Sequence, residues 1–233
     1  MTGRIRLVSL DAGGVLLFPN WTRVSAALAR AGIDVSPEAL ARADAPAKYE
    51  MDHPAVAGAT NNAGHGSLYF GSLLAAAGID VSQDLEAAID EVRAENAARN
   101  LWDLKATDAD AVLADLRGRG VRLIVVSNSD GRLHTLLDGA GLSGYFDLIV
   151  DSHLVGAEKP DRAIFDDALA AAGVEAVEAV HVGDFYTIDV LGARAAGLTP
   201  ILLDPAALHA DRDCVRIASL RELPALLDRG VGA

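Results

Sequence analysis

The sequence predicts an α/β fold, a doubly wound parallel sheet with a smaller all-helical domain. Three observations carry this. From about residue 104 onward, short apolar runs alternate with helical patterns. Polar residues follow several of those runs directly, as they do at the carboxyl ends of parallel strands. Between the first apolar run and the rest lies a long stretch of helical periodicity with no convincing strand.

The elements follow in order. Ile5 to Leu10 is apolar enough for a buried strand, and it ends at Asp11. Helical patterns then cover Thr22 to Ala31, Pro37 to Tyr49, Ser67 to Ala77 and Gln83 to Ala98. The small, polar run from Ala55 to Gly66 predicts a loop among them. Asp108 to Leu116 sets Val112, Leu113 and Leu116 on one helical face. Val121 to Val126, β-branched and apolar, is the clearest strand. Helices are expected over Asp130 to Leu137, Arg162 to Ala172 and Ile188 to Ala196. Strands are expected at Leu148 to Val150, Ala179 to Val182 and Pro200 to Leu203, with an edge strand at Val215 to Ile217. The expected division is an α/β core of residues 1–17 and 104–233 and a helical insert of 18–103. An insert after the first strand is placed to act as a lid over the carboxyl edge of the sheet.

Bulk properties narrow the partners. The 233 residues are 51% apolar, enough for a core domain with an insert. A net charge of -13 argues against nucleic acid, which is bound by surplus Lys and Arg. An anionic substrate would therefore need local positive charge from a metal ion or a specific Lys. The single cysteine, Cys214, has no partner within the chain and no histidine motif around it. No apolar run is long enough to span a bilayer, and the N-terminal run lacks the length and cleavage site of a signal peptide. A soluble, cytoplasmic protein is expected.

Four polar pieces carry the chemistry. Asp11 is followed by Gly13-Gly14, whose backbone can turn tightly and approach a ligand. Its carboxylate could attack phosphorus. Ser127-Asn128 follows the best strand, where a hydroxyl and backbone N–H groups near a helix start suit an anion. Lys159-Pro160 precedes the helix near Asp161, with Pro160 at an early helical position. Asp184 and Asp189 follow Gly183, and with Asp11 they form a hard-oxygen set suited to Mg²⁺. Taken singly, each has a plainer reading as a turn, cap or solvated side chain. His181, inside a strand, reads as a core histidine.

In this order, at strand ends, with an insert after the first, the pieces resemble the haloacid dehalogenase superfamily. Its four motifs are a nucleophilic Asp, a Ser or Thr, a Lys and an acidic pair. The resemblance implies a Rossmann-like core with a helical cap and a Mg²⁺-dependent hydrolase. The activity it implies most directly is a phosphatase of small phosphorylated metabolites. Asp11 would be the nucleophile and Lys159 its charge-neutralising partner. Ser127, Asn128 and Gly14 would bind the transferred group. Asp11, Asp184 and the Gly13 carbonyl would hold Mg²⁺, with Asp189 acting through a bound water or from behind.

One position departs from the family pattern. Phosphatases of this family carry a second Asp two residues after the nucleophile, as general acid and base, where this chain has Gly13. Such help is worth roughly 10²–10⁴-fold in rate. L-2-haloacid dehalogenases also lack that Asp but use no metal, and Asp184 and Asp189 speak against them. Phosphonoacetaldehyde hydrolase has a small residue there and uses an insert Lys, for which Lys48 is the candidate. A non-catalytic member that binds a phosphorylated ligand is a further alternative. Asn61, Asn62 and His65 are the insert residues expected to reach the substrate.

Overall fold

The computed structural model describes residues 4–52, 62–80 and 85–231, which form two compact units, Met1–Phe18 with Lys105–Ala233, and Pro19–Leu104. The first unit is built on a six-stranded, wholly parallel sheet. Its strands in chain order are β1 (Leu7–Leu10), β4 (Arg122–Ser127), β5 (Leu148–Asp151), β6 (Ala179–Gly183), β7 (Thr199–Leu203) and β8 (Val215–Ile217). In space the order is β5-β4-β1-β6-β7-β8. The chain winds outward from β1 through β4 to β5, then returns to the other side of β1 with β6. The order therefore reverses beside β1, the place where open α/β sheets gather ligands at their carboxyl ends. A separate two-stranded sheet pairs β2 (Leu17–Phe18) with β3 (Leu104–Lys105), strands too short to be read from the sequence.

Burial explains why these strands read as continuous apolar runs. Leu7, Val8 and Leu10 of β1 and Leu123 to Val126 of β4 are covered on both faces. One face packs under α8 (Arg162–Ala172) and α9 (Leu191–Ala195), through Leu7, Ile124, Val126, Ile164 and Phe165. The remaining helices of this unit are α5 (Ala109–Gly118), α6 (Leu133–Gly139), the single turn α7 (Ser152–Val155) and α10 (Leu223–Arg229).

The second unit holds α1 (Trp21–Arg30), α2 (Pro37–Met51), α3 (Asn62–Ala76) and α4 (Leu85–Ala98). Asn20 caps α1 by accepting from the Arg23 N–H, and Ser36 caps α2 by accepting from Ala39 N–H. Leu28, Leu40, Leu73, Leu74 and Val92 are among its fully buried apolar side chains. The Arg23 guanidinium ties α1 to α4 and to the chain beyond it. It bonds Glu95 Oε1 at 2.9 Å, Asp103 Oδ2 at 3.0 Å and the Asn100 carbonyl at 2.8 Å.

Three sequence expectations change. The loop expected up to Gly66 is already helical from Asn62, despite the helix cost of Gly64 and Gly66. The helix expected from Asp130 begins at Leu133, since Gly131 takes a left-handed φ of 89° that a right-handed helix cannot include, with its N–H on Asp151. The helix expected over Ile188 to Ala196 opens as a π-turn at Tyr186–Val190 before becoming regular at Leu191. Residues 53–61 and 81–84 lie outside the described residues, and with them Asn61 and the start of the helix expected at Gln83.

Candidate active site

Asp11 leaves β1 while its N–H still donates to Val182 O of β6 at 2.8 Å. Its backbone thus stays fixed to the sheet as its side chain enters the carboxyl edge. The chain then folds back tightly. The Leu16 and Leu17 N–H groups donate to Ala12 O at 2.9 and 2.8 Å, and Gly14 takes a left-handed φ of 77°. The Asp11 Oδ1 atom accepts from the Ala12 N–H at 2.7 Å and lies 3.0 Å from Lys159 Nζ.

Lys159 is buried, its side chain 1% exposed, and its ammonium also meets Asp189 Oδ1 at 2.7 Å. Burial disfavours its charge, but the carboxylates of Asp11 and Asp189 outweigh burial and raise its pKa. The backbone of Lys159 is held as firmly as its head. The Asn128 amide donates to Lys159 O at 2.9 Å and accepts from Lys159 N–H at 2.8 Å. Asn128 thereby clamps the lysine loop at the end of β4, using one amide N–H and the amide oxygen. Ser127, buried at the end of β4, sits in register beside Asp151 of β5. The Lys159–Pro160 peptide bond is cis. Pro160 stands outside α8, which Asp161 caps by accepting from Ala163 N–H.

Asp189 is the most heavily bonded side chain of the group. Oδ1 meets Lys159 and His181 Nε2, the latter at 3.2 Å. Oδ2 accepts from the Asp184 and Phe185 N–H groups at 3.1 and 3.0 Å. Four donors fill the lone-pair sites of one carboxylate. Burial favours its neutral form, but the Lys159 charge and the His181 hydrogen bond reverse this and hold its pKa below the carboxylate range. The π-turn lets this happen. With Asp189 and Val190 N–H both donating to Phe185 O, the Asp189 carboxylate folds back under its own loop.

One carboxylate oxygen each from Asp11, Asp184 and Asp189 lie within 4.8 Å of one another. Three carboxylates face one ammonium here, because burial keeps His181 neutral by lowering its pKa. The surplus negative charge and the all-oxygen donor set fit a divalent cation of the Mg²⁺ type.

Other sequence candidates belong to the helical unit. Lys48 is paired with Asp44 at 3.0 Å, one helical turn away, and Asp44 also accepts from Tyr69 Oη at 2.6 Å. This is the arrangement of a structural helix pair. Asn62 and His65 are helical in backbone, and their side chains lie outside the described residues. Sequence reasoning missed Asp151, which accepts from Gly131, Leu133 and His153 N–H and so fixes the loop after Ser127. Its signal was a carboxylate directly after the apolar run Leu148 to Val150.

A model of the haloacid dehalogenase-like hydrolases matches residues 5–197. The chain belongs to that family. Curated relatives include the haloacid dehalogenase-like hydrolase domain-containing protein 3 of Bos taurus, 38% identical over 56% of this chain and 54% of that protein. A phosphoserine phosphatase of Thermus thermophilus is 39% identical over 50% of this chain and 48% of its own length. The chain thus spans about half the length of the curated relatives it matches. Among solved family members, a 2-haloacid dehalogenase from Pseudomonas syringae is 26% identical, with a TM-score of 0.59, over 97% of this chain and 99% of its own. The magnesium-bound hydrolase YfnB of Bacillus subtilis shares the fold, with 19% identity and a TM-score of 0.68 over 97% of this chain and 100% of that one. Among the described residues no helix is long and apolar enough to cross a membrane.

Proposed function

We propose that this chain is a Mg²⁺-dependent phosphatase of small phosphorylated metabolites, acting through an aspartyl-phosphate on Asp11. The observation that carries this reading is the Lys159 ammonium, bonded at once to Asp11 and Asp189, with Asp184 in the same cluster. Relatives named as a phosphoserine phosphatase and a glyceraldehyde 3-phosphate phosphatase support the substrate class.

In the proposed reaction an Asp11 carboxylate oxygen attacks phosphorus in line with the leaving alcohol. The P–O bond to that alcohol breaks, and water then hydrolyses the acyl phosphate to restore Asp11 and release inorganic phosphate. Lys159 stabilises negative charge on the nucleophile before attack and on phosphoryl oxygens during it. Ser127 and the backbone around Gly14 bind the phosphoryl oxygens, while Asn128 holds Lys159 in place. Asp11, Asp184 and the Gly13 carbonyl would hold Mg²⁺, which supplies Lewis-acid stabilisation of the transferred group when bound. Asp189, its lone pairs already engaged, supports Lys159 and the Asp184 loop from behind. The 19–104 helical unit serves as the cap that selects the substrate.

Gly13 supplies no proton to the leaving group. Substrates with good leaving groups, or a proton from the substrate itself, suit such a site. The likeness to a 2-haloacid dehalogenase supports a second reading, in which Asp11 attacks a halogen-bearing carbon, the carbon–halogen bond breaks to release halide, and water hydrolyses the resulting ester.

A panel of phosphate esters, phosphonoacetaldehyde and 2-haloacids, assayed with Mg²⁺ and with EDTA, separates these readings. Phosphate release that needs Mg²⁺ and is lost in Asp11→Asn is expected. Haloacid turnover that survives EDTA would overturn the phosphatase. No turnover of any substrate, with phosphate still bound, would make the chain a phospho-ligand binder.

A further inference from the structure

We propose that Ser9 and His181 form a buried positioning relay that fixes the Asp189 carboxylate and, through it, the Lys159 ammonium beside Asp11. Neither residue belongs to the four polar pieces at the strand ends. Both lie inside apolar strands, where a polar side chain needs a partner.

The sheet register makes the pair. Ser9 of β1 is aligned with His181 of β6, and Ser9 Oγ lies 2.8 Å from His181 Nδ1. The other ring nitrogen, Nε2, lies 3.2 Å from Asp189 Oδ1. Asp189, held ionised, can only accept, so Nε2 carries the proton and donates. Nδ1 then accepts, and the Ser9 hydroxyl donates to it. The Phe165 ring packs against the imidazole in a T-shaped pair, with ring centroids 4.9 Å apart at 79°. Ser9, His181 and Asp189 are each no more than 1% exposed, so water does not compete for these bonds.

The chain of contacts therefore runs Ser9, His181, Asp189, Lys159, Asp11, with one acceptor and one donor matched at each step. Its function follows from Asp189. A carboxylate that meets Lys159 on Oδ1 and two loop N–H groups on Oδ2 can still rock about its bond to Cβ. The donor from His181 on Oδ1 opposes that rocking and sets where the ammonium sits. Ser9 in turn keeps the imidazole in the tautomer that donates toward Asp189.

Two measurements on the full chain test this. In ¹⁵N NMR of the imidazoles at pH 7.5, His181 is expected as the neutral Nε2–H tautomer. An Nδ1–H tautomer or an imidazolium would overturn the relay. The kinetic part rests on the phosphatase reading and uses p-nitrophenyl phosphate with Mg²⁺. His181→Gln, whose amide N–H can stand near Nε2, is expected to stay within about threefold of wild-type kcat, whereas His181→Phe loses about tenfold or more with little change in KM. Equal losses in both variants, or no loss in the Phe variant, would refute a positioning role. A wild-type chain that hydrolyses no phosphate ester would fail the phosphatase reading alone, and the NMR tautomer would still decide the relay.

Discussion

The Asp189 carboxylate packs directly against the α-carbon of Gly183. A Cβ built on Gly183 would stand 2.1 Å from Asp189 Cγ. The demand is for space, since nothing marks this glycine as left-handed. Gly183→Ala is expected to push Asp189 off Lys159, destabilising the fold by roughly 1–3 kcal/mol. Turnover should fall about 100-fold, as a displacement near 1 Å commonly costs. Urea unfolding and aryl phosphate hydrolysis read the two effects separately.

Removing the ammonium should hurt more than removing either carboxylate. Lys159→Met leaves Asp11 and Asp189 buried without their counter-charge. Breaking a buried pair in this way costs about 3–5 kcal/mol. Because Mg²⁺ would replace part of the lost positive charge, its addition should raise the melting temperature of the variant more than that of the wild type. Calorimetry with and without Mg²⁺ provides the comparison.

His181 gives the fold an acid sensitivity of a defined sign. Burial lowers its pKa in the folded state, while in the unfolded chain it titrates near about 6.5. Above that value both states hold it neutral, and its contribution is fully present. As pH falls below it, the unfolded state binds a proton that the folded state refuses, and stability drops by up to about 1.4 kcal/mol per pH unit. Wild type should therefore lose more stability between pH 7 and pH 5 than His181→Gln, which does not titrate. Urea midpoints across that range measure the difference.

In the helical unit the corresponding hub is Arg23, whose side chain is 16% exposed. Arg23→Met removes its bonds to Glu95, Asp103 and the Asn100 carbonyl at once. A loss of about 2 kcal/mol is expected, in the range of hydrogen bonds to charged groups after allowance for solvent. Limited proteolysis should then cut within residues 19–104 before it cuts the α/β unit.

The position without an acid can be tested by supplying one. Gly13→Asp is expected to raise turnover of alkyl phosphates much more than of aryl phosphates, by up to about 100-fold, because only the poorer leaving group needs the proton. Steady-state kinetics on a matched pair of esters shows whether the ratio moves.

Much of this was legible in the residues. Apolar runs bounded by Asp11, Ser127 and Asp184 located three adjacent strand ends, because a buried strand and its terminal polar group leave a sharp boundary in sequence. Other features depend on contacts between distant residues. Asn128 and Lys159 are 31 positions apart, and nothing local announces that one holds the backbone of the other. Ser9 and His181 are separated by 172 positions, and only the register of β1 against β6 joins them. The π-turn at Tyr186–Val190 shares its residue types with an ordinary helix, and the difference arises from where Asp189 finds donors.

The alignment of Ser9 with His181 also proofreads the assembly of the sheet. Side chains alternate faces along a strand, so a slip of one residue between β1 and β6 would turn Ser9 away from the imidazole. Ser9 and His181 would then keep buried polar atoms without partners, at about 1–3 kcal/mol for each. Apolar strands such as these tolerate many pairings on hydrophobicity alone. The few hydroxyl, imidazole and carboxylate groups buried among them make the correct register the only one in which every group is bonded.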